Sequence, residues 1–475
     1  MRAAVARLGD VLAVLGIGFI GWSCLQRFNG GFDALAYHLP FAALRTGLLT
    51  PDQFVLPPLM HDRLDGFPPL ADWVQGGLWR AFGRPEAAAL ISPLAVLLFA
   101  LYARLAFGLG MLWSALIFLA VPILHTALDA MYVDLWSNAA FAVHLLAAFR
   151  LLTGRGRPGT DAATSMAALA VAVWSKPQFI IIGAASLALL LALLLRQLAW
   201  RPIAVCALLA PACFAWPLRD LILFGNPFWP EAVQLGPIAL PGTQANVWDG
   251  PAELQHLPAA TRWLLSQLDL DAVDLRPGGY TVDQGSKPLG ATGNHMGGSL
   301  SVLLLTALVA LGIGLRRVRP NRDALLAGAA MLLLTALVAV FPGGHELRYF
   351  SFVDILALFA PLCVLRAAAR TGDAYVAGLR TGLQTLLVSS AIYVSFITGG
   401  THLWARYQPR LRDIAAATAL KAGLAGHPDT VCDTRGDFRG LLLSAALVSD
   451  PPGGARRVIE AFDCPAGALV IGPER

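Results

Sequence analysis

Asp33, Tyr37 and His38 stand together in GGFDALAYHLPFAALRTGLL, residues 30 to 49, shortly after an apolar run that opens the chain. A carboxylate, a phenol and an imidazole at such spacing can exchange a proton or meet a cation. Asp33 and Tyr37 are four apart, so a helix through them shows both on one face. Capping of that helix by Asp33 is the plainer reading of the stretch alone. In HTALDAMYVDLWSNAAFAVH, His125 and Asp129 are also four apart, and Asp134 heads the next apolar run. A turn and an N-cap would account for both acids, whereas an acid at a membrane edge facing a bundle points to function. Lys176, in VWSKPQF, is the only lysine in the first 286 residues. It either snorkels harmlessly or draws an anion. Arg219 and Asp220 adjoin before the turn GNPFWP, where they pair or snorkel. His345, Glu346, Arg348 and Tyr349 crowd the start of a late apolar run, in GGHELRYFSFVDILALFAP. The Arg348 fork matches phosphate oxygens; an interfacial anchor beside Tyr349 is the alternative.

The elements that hold these residues are set by composition. Of 475 residues, 57% are hydrophobic and 14% charged, and the mean hydropathy is +0.63, outside the range of a soluble chain. The fold class expected is an all-α polytopic membrane protein. Apolar windows long enough to cross a bilayer fall at 8–25, 87–106, 109–125, 132–152, 162–175, 178–196, 202–223, 299–315, 323–341, 350–366 and 381–399, which predicts about eleven transmembrane helices. The net charge of +5 comes from arginines at alternate loops: Arg2 and Arg7, Arg150 to Arg157, Arg196 and Arg201, Arg316 to Arg322, Arg366 to Arg380. That placement marks a cytoplasmic side and argues against a nucleic-acid partner. It puts the N-terminus inside, and the loops 26–86 and 224–298 and the tail 400–475 outside. The first helix reads as a retained anchor, without a convincing cleavage site.

Residues 1–399 are thus expected as the membrane module and 400–475 as a small extracytoplasmic α/β segment, with short apolar runs that suggest a few strands beside helices. Cys432 and Cys464 lie in that tail, where an oxidising compartment would permit a disulfide; two free thiols are the equal alternative. The first loop carries interfacial helices with Trp73 and Trp79 as anchors. The second, rich in Pro and Gly, is expected to be irregular with short helices. A transport path would place polar residues at the midplane on broken helices, and the windows here are mostly clean in the middle.

In five places the chain resembles the GT-C membrane glycosyltransferases, the group that includes lipid A aminoarabinose transferase and the protein O-mannosyltransferases. These are FDALAYHLPFA in the first loop, YVDLWSNAAFAV opening the fourth span, WSKPQF after the fifth, FGNPFWP after the seventh and ELRYFSFVDILALFAP before a late one. The resemblance covers roughly residues 1–400. It implies a GT-C-like bundle that takes a sugar from a polyprenyl-phosphate or diphosphate carrier to a lipid, glycan or protein acceptor, outside the bacterial cytoplasmic membrane. Asp33 would then be the catalytic base and Asp134 the second acid. Lys176 and Arg348, with His345, would hold the donor phosphate. Tyr37, His38, Asp129 and Tyr349 would support or orient the acceptor. No cofactor is demanded, although Asp33, His38 and Asp134 leave room for a divalent metal ion. The chain departs from the family in carrying one acid at position 33 where relatives carry a pair, which keeps Asp62 and Asp65 as alternative bases. Outside that family, a lipid-linked sugar flippase or a non-catalytic envelope assembly protein would share these charges.

Overall fold

The computed structural model describes residues 2–26, 33–56, 58–235, 237–244, 257–267, 298–318, 322–341, 343–369, 372–400, 430–433, 457–460 and 469–471. Its long helices lie over the apolar windows. They are α1 (Arg2–Leu25), α5 (Ile91–Phe107), α6 (Met111–Ala120), α8 (Asp134–Leu152), α9 (Pro158–Val173), α10 (Gln178–Arg196), α11 (Trp200–Cys213) with α12 (Ala215–Phe224), α14 (Gly298–Val318), α15 (Arg322–Val340), α16 (Phe352–Ala369) and α17 (Ala374–Gly400). Shorter helices fill the first loop: α2 (Leu39–Arg45), α3 (Pro58–Gly66) and α4 (Leu70–Phe82). Two more, α7 (Pro122–Thr126) and α13 (Ala259–Gln267), follow later. Among the described residues five helices are long and apolar enough to cross a membrane, and α11 with α12, bent by 46° at their junction, pass the same test only as a pair.

The apolar stripes of these helices bury into one core. Phe99, Phe118 and Phe359 meet edge to face, as do Phe141 and Phe352, the geometry that aromatic quadrupoles favour. Helix α1 is the least buried of the five long apolar helices, with 22% of its window inside. Leu8, Leu12, Leu15, Phe19 and Trp22 stay exposed along it, as suits a helix whose partner is lipid.

Breaks in the helices fall where the backbone chemistry requires them. Pro122 ends the window 109–125 as two helices, with Val121 extended between them. Pro217 cannot donate to the carbonyl four residues back, so the ladder fails at the α11–α12 junction. The bend carries Trp216 and Arg219 to the first loop, where the indole donates to the Gly66 carbonyl at 2.8 Å and Arg219 to that of Asp65 at 2.9 Å. Gly76 lies so close to α2 that a Cβ there would come within 2.5 Å of the Ala42 carbonyl oxygen, which is why α4 can lie against α2.

Beyond the bundle, β2 (Val233–Leu235) and β3 (Ile238–Leu240) form an antiparallel pair in the second loop. A four-stranded parallel sheet contains β4 (Thr430–Asp433), β5 (Arg457–Glu460) and β6 (Leu469–Ile471) from the tail, in the order β1-β5-β4-β6. Its edge strand β1 (Phe54–Val55) comes from the first loop, with Phe54 opposite Val458. The sheet therefore joins residues on both sides of position 400. Cys464 lies outside the described residues, and with it the disulfide expected to Cys432.

Candidate functional site

The turn after α1 has an unusual form. Ala34–His38 is a π-helix, and Asp33 stands at its N-cap without capping it by its side chain. The expected α-helical spacing is thereby corrected: each residue of a wider π-turn advances less around the axis, so His38 as well as Tyr37 comes back to the Asp33 side. The carboxylate of Asp33 goes instead to Arg348, whose Nη1 donates to Oδ2 at 2.8 Å. Asp134 likewise does not cap. It is the first residue of α8, behind Val133, and its carboxylate lies 3.1 Å from Lys176 Nζ.

Two ion pairs from four separate parts of the chain therefore converge, each side chain only 4 to 11% exposed. Aromatic rings bind them into one cluster. The Arg348 guanidinium sits over Tyr132 at 5.4 Å and Tyr349 at 5.0 Å, and Lys176 lies 5.4 Å from the same Tyr349 ring. Burial opposes the charge on Asp33, yet Arg348, Lys176 and His38 together hold its carboxyl below the usual range. For Arg348, burial is outweighed by Tyr349, Asp33, Asp134 and Glu346, which keep the guanidinium charged. Burial, reinforced by Asp33, pushes the Tyr37 phenol up, so it stays an O–H donor.

Asn138 fixes the geometry from behind. Its amide donates to the carbonyls of Asp134 at 2.8 Å and Arg348 at 2.9 Å, and its oxygen accepts the Phe352 N–H at 2.9 Å. One side chain thus ties the head of α8 to the start of α16, with all three contacts buried.

The remaining expected residues lie at different distances from this cluster. His345 is buried one turn before Arg348, and Glu346 approaches the Arg348 Nε at 3.9 Å. Asp62 accepts from Thr243 at 2.7 Å, and Asp65 is half exposed opposite His61 at 3.7 Å; neither is brought to Arg348. His125 and Asp129 do not share a helical face, because α7 stops at Thr126. Arg219 does pair with Asp220, at 2.5 Å. No three His, Cys, Asp or Glu side chains among the described residues gather as metal ligands. Asp33, His38 and Asp134 face Arg348, Asp72 and Lys176 instead, so the metal site weighed from the sequence does not fit.

Sequence reasoning passed over Tyr132, Asp72 and Glu231. Asp72 shares its helix stripe with Gln75 and Trp79, all buried, and an acid on the inward stripe of an amphipathic helix is a readable signal. Glu231 follows the GNPFWP turn, and Asn226 Nδ2 donates to its carbonyl at 2.7 Å. Burial pushes the Glu231 carboxyl up to about 7, against Arg63 and Lys176. Protonation in the folded state stabilises below the unfolded value of 4.5 and fades as pH rises through about 7. Glu231→Gln should therefore melt above the wild type at pH 8.5 and together with it at pH 4. Coincident melting curves at both pH values would remove the effect.

No family model and no curated protein sequence matches the chain. Two solved structures do match in fold. One is ArnT from Cupriavidus metallidurans bound to undecaprenyl phosphate, with a TM-score of 0.53 and 16% identity over 92% of this chain and 84% of that one. The other is the same protein in the apo state, with a TM-score of 0.52 and 14% identity over 96% and 90%. At these coverages the likeness takes in most of the chain. The chain shares its overall fold with ArnT.

Proposed function

We propose that the protein is a membrane glycosyltransferase that moves a sugar from a polyprenyl-phosphate carrier to an acceptor at the extracytoplasmic face of the membrane. The observation that carries this is the convergence of the Asp33–Arg348 and Asp134–Lys176 pairs in one buried, aromatic-walled cluster. The binding of undecaprenyl phosphate by an ArnT of like fold supports the choice of carrier. Phosphate is a competent leaving group, so the site needs cations for its developing charge more than a strong acid. Arg348 and Lys176 supply them. It also needs one carboxylate to receive the acceptor's proton, and Asp33, held ionised by those same cations, suits that role. Asp134 positions Lys176.

The test is incubation of the purified full-length chain with undecaprenyl-phosphate sugars, radiolabelled in the sugar, and membranes as acceptor source. Label should pass from the carrier to a membrane fraction. Movement of intact labelled carrier between leaflets without transfer would make the protein a flippase, and neither outcome would leave an assembly role.

A further inference from the structure

The cation-bound state of Asp33 raises the question of where the acceptor's proton goes next. A carboxyl held below its usual range by Arg348 and Lys176 gives up a proton readily. Its neighbour across the π-turn is His38, 4% exposed. The His38 Nε2 is buried with no hydrogen-bond partner among the described residues. On its other edge, Nδ1 lies 3.9 Å from Asp72 Oδ1, and Asp72 Oδ2 lies 3.5 Å from Arg45 Nε. Arg45 is itself fastened by donating to the Leu64 and Phe67 carbonyls. It lines a cavity of about 460 Å3 shared with Trp73, Trp216, Arg219 and the exposed pair His61 and Asp65. That cavity opens to solvent far more widely than the Asp33–Arg348 pair, whose side chains are 11 and 8% exposed.

We infer that His38, positioned by Asp72, carries the acceptor's proton from Asp33 toward this cavity. The inference rests on the transferase reading above. In that reaction the acceptor hydroxyl oxygen bonds to the anomeric carbon, and the bond from that carbon to the phosphate oxygen breaks. Its electron pair leaves with the polyprenyl phosphate, beside Arg348 and Lys176. The hydroxyl proton passes to Asp33 and then to the His38 imidazole. The imidazolium so formed faces Asp72, which takes the Nδ1 proton and releases it to water on the Arg45 side, where the cavity begins. One proton enters and one leaves in each cycle.

The groups around His38 allow this direction of travel. The Tyr37 ring lies tilted beside it at 4.3 Å and the Tyr132 ring 6.3 Å away, and Arg348 sits 5.4 Å from the same Tyr132 ring. Asp33 acts on it from its own turn and Asp72 from α4. Arg348 therefore biases positive charge away from the site, and Asp72 draws it toward Arg45. The 3.9 Å separation closes as the imidazole charges, as catalytic hydrogen bonds commonly tighten in the working complex.

His38→Gln and Asp72→Asn in the full-length chain, assayed with radiolabelled undecaprenyl-phosphate sugars from pH 5.5 to 9, test the route. His38→Gln should lower kcat by about a hundredfold with the donor KM held within about twofold, and added imidazole should restore part of the loss. Asp72→Asn, which removes the carboxylate 3.9 Å from Nδ1, should lower kcat by about tenfold or more with the donor KM again held within about twofold. A merely structural role would not confine the loss to kcat, and Asp72→Asn decides the matter if His38→Gln fails to fold. Near-normal kcat in either variant overturns the relay alone. Absence of transfer by the wild type overturns the function and the relay with it.

Discussion

Asp33→Asn should lower turnover by about a hundredfold to ten-thousandfold while tightening the grip on undecaprenyl phosphate. The two effects have one cause. In the proposed reaction Asp33 is the base, and it also engages Arg348 Nη1 at 2.8 Å. An amide cannot take the proton and only weakly competes for the guanidinium, so the cation is freed for phosphate. Removing one partner of a buried pair leaves the other charge uncompensated, at a cost of about 3–5 kcal/mol. An anionic ligand that binds the folded state relieves that cost. Undecaprenyl phosphate should therefore raise the melting temperature of Asp33→Asn by more than it raises that of the wild type, in a titration followed by thermal shift. Undiminished turnover would remove Asp33 as the base, and an equal or smaller thermal shift would remove its competition for Arg348.

That pairing explains why the sequence showed the parts of the site but not its wiring. Asp33, Asp134, Lys176 and Arg348 were all legible, because a charged residue at the end of an apolar run stands out against a 14% charged chain. Both acids suited helix capping, and local preference could not say otherwise. What decided against capping was a cation more than a hundred residues away for Asp33, and more than forty for Asp134. Contacts of that separation are set by packing of the whole bundle, and no window of the chain contains them. The π-turn was hidden for a related reason. ALAYH has nothing in its composition that excludes an ordinary α-turn, so the register that returns His38 toward Asp33 emerges only in the folded loop. The apolar windows fared better, since hydrocarbon thickness fixes their length locally. Strand β1 lay beyond reach, because two residues, Phe54 and Val55, gain a partner only across the distance to the tail.

Arg348→Lys should weaken transfer by about tenfold to a hundredfold, the loss of one or two charge-assisted hydrogen bonds, and Arg348→Ala should go further. Lysine keeps the charge but not the fork that reaches Asp33 through Nη1 and the Tyr349 hydroxyl through Nη2 at 3.4 Å. Alanine removes the largest opposing influence on a carboxyl that burial is already pushing up. Asp33 then rises in pKa and is protonated over part of the range where the wild type keeps it ionised. Residual turnover of Arg348→Ala should accordingly climb with pH through the region where the wild-type profile is flat, while Arg348→Lys stays flat at its lower level. Measuring kcat/KM of both variants from pH 5.5 to 9 separates the two roles of one guanidinium. A climbing alanine profile shows that Arg348 keeps the base ionised, and a flat one would assign the arginine to the phosphate alone.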